Sequence, residues 1–497
     1  MTAILASEMS GEPIALPPFE VRHAMRLVKP RSANQLHGYV RSVLGFSMPR
    51  HPIVRGHTAP FAYLEHAYFE RCTPRDCLVW ANRGGGKTQL GAIATLLDLL
   101  FKPGIQIRIL GGSLEQSSKM YRYLKRLLES ELFHDLIAGN LTERGVELLN
   151  GSRVEVLAQS ERAVRGQRVH KLRCDEVELF EPEIWDAAQL VTRSGTCGET
   201  FVAGAIETLS TMHRPFGLMQ SLLDRARAQN RRVFRWSVLD TLERCPPQRP
   251  CESCLLWHEC GGRAKRASGF IAIDDAIQQK RRVDESTWAS EMLCDRPRRD
   301  ENVFPEFDEA VHVRAFEPPS GALWIGGMDF GYRAPTVLLW ACLTAEDELL
   351  IVDEHAEREL TTDEHIAVVR GRSWPRLRWI GADPAGHQRS EQTGVSTIAL
   401  WKRAGFRIRT RPLPIEVGIL AVRRRLRRAD GVVTLRIHPR CRTMIESMHK
   451  YRYPPNDPEA TVPMKDGTDH AADALRYLIS NLDRDVCRAR VSSYLRR

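Results

Sequence analysis

Residues 81–88, Ala-Asn-Arg-Gly-Gly-Gly-Lys-Thr, combine residue types that can bind the phosphates of a nucleotide. The apolar run 77–80 before them predicts a buried strand, and the Leu- and Ala-rich run 88–100 predicts a helix. A glycine-rich turn between strand and helix points backbone N–H groups at one place, where the helix dipole adds positive potential. Lys87 would reach the β- and γ-phosphates of ATP, and the Thr88 hydroxyl would bind Mg²⁺. A turn that merely ends in Lys-Thr is the alternative, since alanine replaces the first glycine of a P-loop.

Such a loop needs acidic partners, and the pair Asp175-Glu176 offers them after a short run of residues, 171–174. At the end of a strand, Asp175 would hold Mg²⁺ through water, and Glu176 would orient and deprotonate the attacking water. The strand is weak by composition because Arg173 interrupts it, and an Asp-Glu pair at the surface is the alternative.

The segments around these residues predict an α/β domain. The expected elements are a strand at 105–110, a helix at 113–133, a hairpin of 146–149 and 153–157 around Asn150-Gly151, and a strand at 201–206 followed by a polar end at 207–211. The basic segment 162–168 is predicted to be a loop that leads into the Asp-Glu strand.

A second set of candidate catalytic residues lies in the C-terminal half, where Asp329 and Asp383 each end a predicted strand. The expected order is strands at 323–329, 335–343 and 348–353, a helix at 362–370 and a strand at 378–382. Three hairpin-like strands, a helix and a further strand ending in Asp is the order of an RNase H-like domain. Such a sheet places its first two aspartates side by side.

A late helix supplies further side chains, because Asp469, His470 and Asp473 can share one helix side. A cluster of carboxylates suits phosphodiester cleavage by two Mg²⁺ or Mn²⁺ ions about 3.5–4 Å apart. The alternatives are tight-turn aspartates for Asp329 and Asp383, and a helix N-cap for Asp469.

Four cysteines fall close together with the spacing C-x5-C-x2-C-x5-C, namely Cys245, Cys251, Cys254 and Cys260. A C-x2-C turn can place two thiolates on one metal, so a structural Zn²⁺ is the preferred interpretation. His258 could replace one cysteine. An iron–sulfur cluster and free cysteines are the alternatives.

Composition limits the class of protein. At 497 residues the chain should form two domains, and no apolar run reaches the ~18 residues of a membrane helix. We expect no signal peptide, and the twelve cysteines then indicate a reducing compartment. The formal charge of +10, with arginines at 423–425 and 427–428, suits a phosphate-rich partner, although solvated helix faces would explain it equally.

Taken in order, R-x-x-G-K-T, V-R-G-Q-R at 164–168, D-E, a strand ending in Ser-Thr and D-H-x-x-D-A-x-R-Y at 469–477 resemble the terminase large subunits of tailed bacteriophages. The resemblance covers about residues 60–480. It implies an ATPase that moves double-stranded DNA into a prohead and a nuclease that cuts it. The implied partners are DNA, the portal protein, the small terminase subunit and further copies in a ring.

The resemblance also assigns residues. Arg83 would contact the γ-phosphate or sense hydrolysis, and Arg165 or Arg168 could stabilise charge. Ser210 and Thr211 would form a coupling motif, although Met212 replaces its usual proline. The nucleotide-binding set would then be Arg83, Gly84, Gly85, Gly86, Lys87, Thr88 and Asp175. In the nuclease, Asp473 would be the third metal ligand after Asp329 and Asp383, and His470 an accessory ligand or base.

The expected fold class is α/β, with a P-loop NTPase domain on a parallel-rich sheet, a Cys-rich metal module and an RNase H-like nuclease domain. The expected boundaries are an N-terminal extension (1–55), the ATPase (56–240), the Cys-rich module (241–265), a helical linker (266–318), the nuclease (319–483) and a basic tail (484–497). The expected location is the cytoplasm of an infected bacterial host. A helicase–nuclease of DNA repair or recombination and a prophage remnant that only binds DNA or scaffolds assembly remain as rival functions.

Overall fold

The computed structural model describes residues 16–483 of the chain, except for 113, 158–163, 165, 167, 214–216, 297–300, 390–393, 456 and 458–459, and except for the side chains of 114–117. The basic tail and Arg165 therefore lie outside the described residues. Two compact units share the chain. The first contains the described residues up to 279 together with 286–296, and the second contains 280–285 together with those from 301 onward.

The first unit is built on a seven-stranded sheet with the order β3-β4-β2-β5-β8-β1-β9. Its strands, with the small hairpin β6–β7, are β1 (Cys77–Ala81), β2 (Gln106–Gly111), β3 (Gly145–Glu147), β4 (Arg153–Val156), β5 (Lys171–Asp175), β6 (Gly195–Cys197), β7 (Thr200–Val202), β8 (Ala205–Ser210) and β9 (Arg232–Trp236). All neighbours in the sheet are parallel except β3 and β4. Strands β1, β5 and β8 are buried along their whole length, as expected for parallel strands covered on both faces.

Helices lie between the strands in sequence and also precede and follow them. Up to residue 292 they are α1 (Phe19–Met25), α2 (Ala33–Ser42), α3 (Pro60–Phe69), α4 (Lys87–Phe101), α5 (Leu114–Leu128), α6 (Pro182–Ala188), α7 (Leu218–Ala226), α8 (Val238–Thr241), α9 (Trp257–Cys260), α10 (Ile273–Arg282) and α11 (Glu285–Thr287). Shorter turns are the 3-10 helices His134–Leu136, Val177–Leu179 and Arg263–Arg266 and the π-helix Trp288–Met292. Among the described residues, no helix is long and apolar enough to cross a membrane.

Most elements predicted for this half are confirmed, including the strand before the glycine-rich turn, the helix after it and the hairpin at Asn150-Gly151, where Gly151 has a φ of 78°. The predicted single strand at 201–206 is wrong. Strand β7 ends at Val202 because it pairs with β6, and the chain then enters the main sheet as β8. The polar residues that were expected at a strand end, such as Glu207, lie within β8.

The second unit contains a six-stranded sheet with the order β14-β13-β10-β11-β12-β15. Its strands are β10 (Leu323–Asp329), β11 (Thr336–Leu343), β12 (Leu349–Glu357), β13 (Ile380–Ala382), β14 (Ile408–Thr410) and β15 (Leu435–Ile437). Its later helices are α12 (Glu309–His312), α13 (Thr362–Gly371), α14 (Thr397–Arg403), α15 (Ile415–Leu426), α16 (Arg442–Lys450) and α17 (Asp469–Leu482), with a 3-10 turn at Pro384–His387.

Strands β10, β11 and β12 form an antiparallel meander, and β13 returns parallel to β10 on its other side. The predicted order of strands and helix is therefore confirmed, and both sheets belong to a mixed α/β fold. Val303 and Phe304, which the sequence places in a linker, are each only 1% exposed and belong to the hydrophobic core of this unit.

Candidate functional site

The ATP-site candidates meet at one edge of the first sheet. Because β1, β5 and β8 are parallel neighbours, the residues that follow them lie together at the carboxyl edge, with β8 between the other two. Lys87 Nζ lies 2.8 Å from Glu176 Oε1. The Thr88 hydroxyl donates to Asp175 Oδ1 at 3.2 Å. The structure thus brings both acidic residues to the start of α4.

The glycines of the turn have specific steric reasons to be glycine. Gly84 and Gly86 have φ angles of 75° and 80°, which side chains disfavour. A Cβ atom on Gly85 would lie 2.2 Å from Asn82 Oδ1. The carbonyl of Gly85 also accepts a hydrogen bond of 2.9 Å from Trp236 Nε1, which fixes the turn against β9.

Ser210 and Thr211 contact the candidate catalytic carboxylate directly. The Ser210 hydroxyl lies 3.4 Å from Glu176 Oε2, and the Thr211 amide and hydroxyl lie 3.4 and 3.3 Å from the same oxygen. Glu176 has a left-handed backbone, with a φ of 54°. Its position is therefore set by Lys87 on one oxygen and by the end of β8 on the other.

The charges at this edge shift the pKa values of the two acids in opposite directions. Burial, together with the neighbouring charge of Glu176, raises the pKa of Asp175 to about 7. Burial acts in the same sense on Glu176, but the ion pair with Lys87 and the Thr211 N–H hold its pKa below the ordinary value. The ion pair with Lys87 therefore favours the charged form of Glu176, the form that could accept a proton.

Arg83 has a partner that the sequence did not suggest. Its guanidinium lies 3.0 Å from the Glu291 carboxylate, and its backbone N–H donates to the Glu291 carbonyl at 2.9 Å. Glu291 belongs to the π-helix, a rare conformation that is frequent at functional sites. No sequence pattern marks this pairing. Of the two arginines offered as a charge-stabilising group, only Arg168 is described, and it is exposed.

The nuclease candidates meet at the carboxyl edge of the second sheet. Since Met328 and Ala382 are register partners on parallel strands, Asp329 and Asp383 leave the sheet side by side. Helix α17 packs across β10 and β13. His470 Nδ1 lies 2.9 Å from Asp329 Oδ2. Burial, with the charges of Asp473 and Asp383 acting in the same direction, raises the pKa of Asp329 to about 6.

Two glycines allow α17 to approach the sheet so closely. A Cβ on Gly327 would lie 2.3 Å from the carbonyl oxygen of Ala474, and one on Gly381 would lie 2.5 Å from that of Tyr477. The two glycines are register partners, and each precedes its aspartate by two positions. The repeated G-x-D pattern was the available sign of this contact, and the sequence interpretation missed it.

The N-cap interpretation of Asp469 is wrong. Thr468 occupies the N-cap position, and Asp469 is the first helical residue, buried to 4% exposure. Its carboxylate accepts a hydrogen bond of 3.0 Å from the N–H of Gly467, outside the helix. It therefore fixes the entry into α17 rather than capping the helix's own N–H groups.

The carboxylates suit a divalent cation chemically, because hard oxygen ligands bind Mg²⁺ and Mn²⁺. In the present side-chain positions Asp329 is hydrogen-bonded to His470, and both Nε and Nη2 of Arg476 lie 3.0 Å from Asp473. Within the part of the chain that is described, no group of three or more His, Cys, Asp or Glu side chains is arranged to hold a metal ion. In these contacts each carboxylate uses one of its two oxygens, Oδ2 of Asp329 and Oδ1 of Asp473.

The four clustered cysteines line one small cavity together with Arg249 and Trp257. The N–H of Cys254 donates to the Cys251 carbonyl at 3.0 Å, which closes the C-x2-C turn. The N–H of Ala264 points at Cys260 Sγ, 3.4 Å away. Four thiols are a suitable donor set for Zn²⁺. As with the carboxylates, however, the positions of these side chains among the described residues do not form a group that could hold a metal ion.

No family model and no curated protein sequence matches the chain. Solved structures do. The large terminase of a thermophilic bacteriophage matches with a TM-score of 0.53 and 14% identity, covering 84% of this chain and 98% of that one. The same enzyme in complex with ADP matches at 0.51 with 14% identity and the same coverage, and its complex with ATP-gamma-S at 0.50 with 13% identity. The chain therefore has the fold of a bacteriophage large terminase.

Proposed function

We propose that the chain is the large subunit of a phage terminase, which uses ATP hydrolysis to translocate double-stranded DNA into a prohead and cuts that DNA. The observation that carries the proposal is the presence of two separate candidate sites in one terminase fold. The candidate ATP-site residues lie at the carboxyl edge of the first sheet, and the candidate nuclease carboxylates lie at the carboxyl edge of the second.

In the motor site, Arg83, Gly84, Gly85, Gly86, Lys87 and Thr88 would bind the nucleotide, with Asp175 placed for its Mg²⁺. Glu176 would take the proton of the attacking water. Because Ser210 and Thr211 contact Glu176, a movement at the end of β8 would reach the base directly. This contact supports the coupling role proposed for the two residues. The large terminase of the thermophilic phage was solved with ADP, in keeping with such a site.

In the nuclease site, Asp329, Asp383 and Asp473 would hold Mg²⁺ or Mn²⁺, ions that activate water and stabilise the leaving oxygen when bound. His470 would orient Asp329 or accept a proton. Arginines on the chain surface would contact DNA phosphates without reading sequence. The small subunit would then select the packaging site. The chain would dock on the portal protein and assemble with further copies into a ring. The work would take place in the cytoplasm of the infected bacterium.

The test is to assay the purified chain for both activities. We expect ATP hydrolysis stimulated by double-stranded DNA, and cleavage of plasmid DNA that depends on Mg²⁺ or Mn²⁺ and is sequence-tolerant. A strand-displacement assay run alongside should show no unwinding. Unwinding would point to a helicase–nuclease instead. DNA binding without either hydrolysis or cleavage would leave only a DNA-binding or scaffolding protein.

For the cysteine cluster we infer a structural Zn²⁺ held by Cys245, Cys251, Cys254 and Cys260, supported by the thiols that share one cavity. Protein purified without added metal should contain about one zinc per chain, because thiolates bind Zn²⁺ tightly. Substituting Cys251 and Cys254 with serine should remove the zinc and lower the melting temperature. Iron in place of zinc would identify an iron–sulfur cluster, and the absence of both metals would rule out the site.

A further inference from the structure

A chain of buried polar side chains runs down the interface between α4 and β5. Residues at alternate positions of a strand share one face, so Lys171, Arg173 and Asp175 all point at α4. The face of α4 that packs against these side chains carries Thr88, Thr95 and Asp98. Helix and strand run in opposite directions, because Asp175 meets Thr88 at one end and Lys171 meets Asp98 at the other.

Four hydrogen bonds at three levels join the strand to the helix. At the top, Thr88 donates to Asp175 at 3.2 Å. In the middle, Arg173 donates to the Thr95 hydroxyl at 2.9 Å and to Asp98 Oδ2 at 2.6 Å. At the bottom, Lys171 donates to the same Asp98 oxygen at 2.9 Å. Thr95, Asp98, Lys171 and Arg173 have no exposed surface.

Strand β8, the neighbour of β5, adds a further carboxylate to this network. Glu207 is the register partner of Arg173 on the neighbouring strand. Its carboxylate accepts bonds of 3.0 and 3.1 Å from Arg173 and one of 2.7 Å from the Tyr63 hydroxyl. Arg173 thereby connects the helix that begins at the glycine-rich turn with the strands that end at Asp175 and at Ser210. The sequence interpretation treated this arginine as a defect of the strand.

Such a network is a poor way to gain stability, because desolvating buried ion pairs costs about as much as their attraction returns. What the network can do is restrict movement of the helix along its axis. Apolar side chains allow a helix to slide along a strand at small cost, whereas a buried guanidinium that makes four contacts of hydrogen-bond length fits one axial position only.

We propose that Asp98, Arg173 and Glu207 are positioning residues that set the axial register of α4 against β5, and so hold Thr88 and Asp175 in position for the divalent cation of the nucleotide. The inference rests on the proposed ATP site. It assigns to these three residues no contact with the nucleotide. Their loss should leave phosphate binding by the turn intact and weaken only the part of nucleotide affinity that depends on Mg²⁺.

The test variant is Tyr63→Phe/Arg173→Met/Glu207→Leu. It removes one positive and one negative charge together, and leaves Lys102 and Lys171 balanced by Asp98 and Glu70. ADP affinity is measured by calorimetry with and without Mg²⁺, and thermal unfolding confirms folding. We expect ADP affinity without Mg²⁺ within about twofold of the wild type, a roughly tenfold loss of the enhancement by Mg²⁺, and a similar rise in the Mg²⁺ concentration for half-maximal ATP turnover.

The matched control is Arg26→Met/Asp135→Leu, which removes another ion pair of the first unit that does not involve α4, β5 or β8. It should leave the Mg²⁺ dependence unchanged. A folded test variant with wild-type Mg²⁺ dependence overturns the proposal. If the test variant does not fold, Thr95→Val removes one of these hydrogen bonds isosterically and should shift the Mg²⁺ dependence about threefold in the same direction; no shift overturns the proposal. Wild-type protein that binds no ADP would instead overturn the proposed ATP site.

Discussion

An Asp329→Ala variant is expected to lose DNA cleavage by at least about a thousandfold while its ATP hydrolysis stays within about twofold of the wild type. A carboxylate that holds a catalytic metal contributes several kcal/mol to the transition state, and each 1.36 kcal/mol is tenfold in rate. The residues of the proposed ATP site belong to the other unit, so ATP turnover should not change. The measurement compares plasmid nicking in Mn²⁺ with release of inorganic phosphate, on protein with a verified melting temperature.

The reciprocal control is Glu176→Gln, which keeps the shape of the side chain but removes the base. ATP turnover should fall by about 10²–10⁴-fold, the usual contribution of a general base, while cleavage continues. Equal loss of both activities in either folded variant would contradict the assignment of the two sites to separate units.

Replacing Gly327 with alanine is expected to lower cleavage by about a hundredfold or more without unfolding the unit. The new methyl group would lie 2.3 Å from the Ala474 carbonyl, so α17 must move away from β10. A displacement of about 1 Å at a catalytic group costs on the order of a hundredfold in rate. The helix carries His470 and Asp473, and their distance from Asp329 would grow.

The matched control is Gly371→Ala in α13, where an added Cβ meets nothing within 4 Å. It should leave cleavage unchanged. Gly381→Ala should reproduce the defect, because its Cβ would lie 2.5 Å from the Tyr477 carbonyl. Full cleavage by both sheet variants would show that the close packing of α17 does not position the carboxylates.

The parts of the two sites that were predicted from sequence are those fixed by chain order. The glycine-rich turn lies between an apolar run and a helix, so its three-dimensional setting is local. Asp329 and Asp383 follow strands whose order already implies adjacency, and the register of β10 with β13 confirms it. Their metal-binding roles stay predictions.

The missed features depend on partners that are distant in sequence. Arg173 looked misplaced in a strand because its partners Asp98 and Glu207 come from a helix and another strand. Glu291 offered no periodicity or motif, and only the folded chain brings it to Arg83. N-cap preferences describe residue type and allow Asp469 as a cap, whereas in the folded chain Thr468 occupies that position.

The two units are interleaved in sequence, and this limits how the protein can be dissected. Residues 280–285 belong to the second unit, whereas 286–296 return to the first. A fragment of the first unit that stops before 280 loses Glu291, the partner of Arg83. A fragment that continues to 296 removes Val283 from the second unit, where its carbonyl accepts a hydrogen bond from the N–H of Ala429. No single cut point releases both units whole, so a chimera that exchanges the first unit with that of another protein of this fold must transplant two segments rather than one.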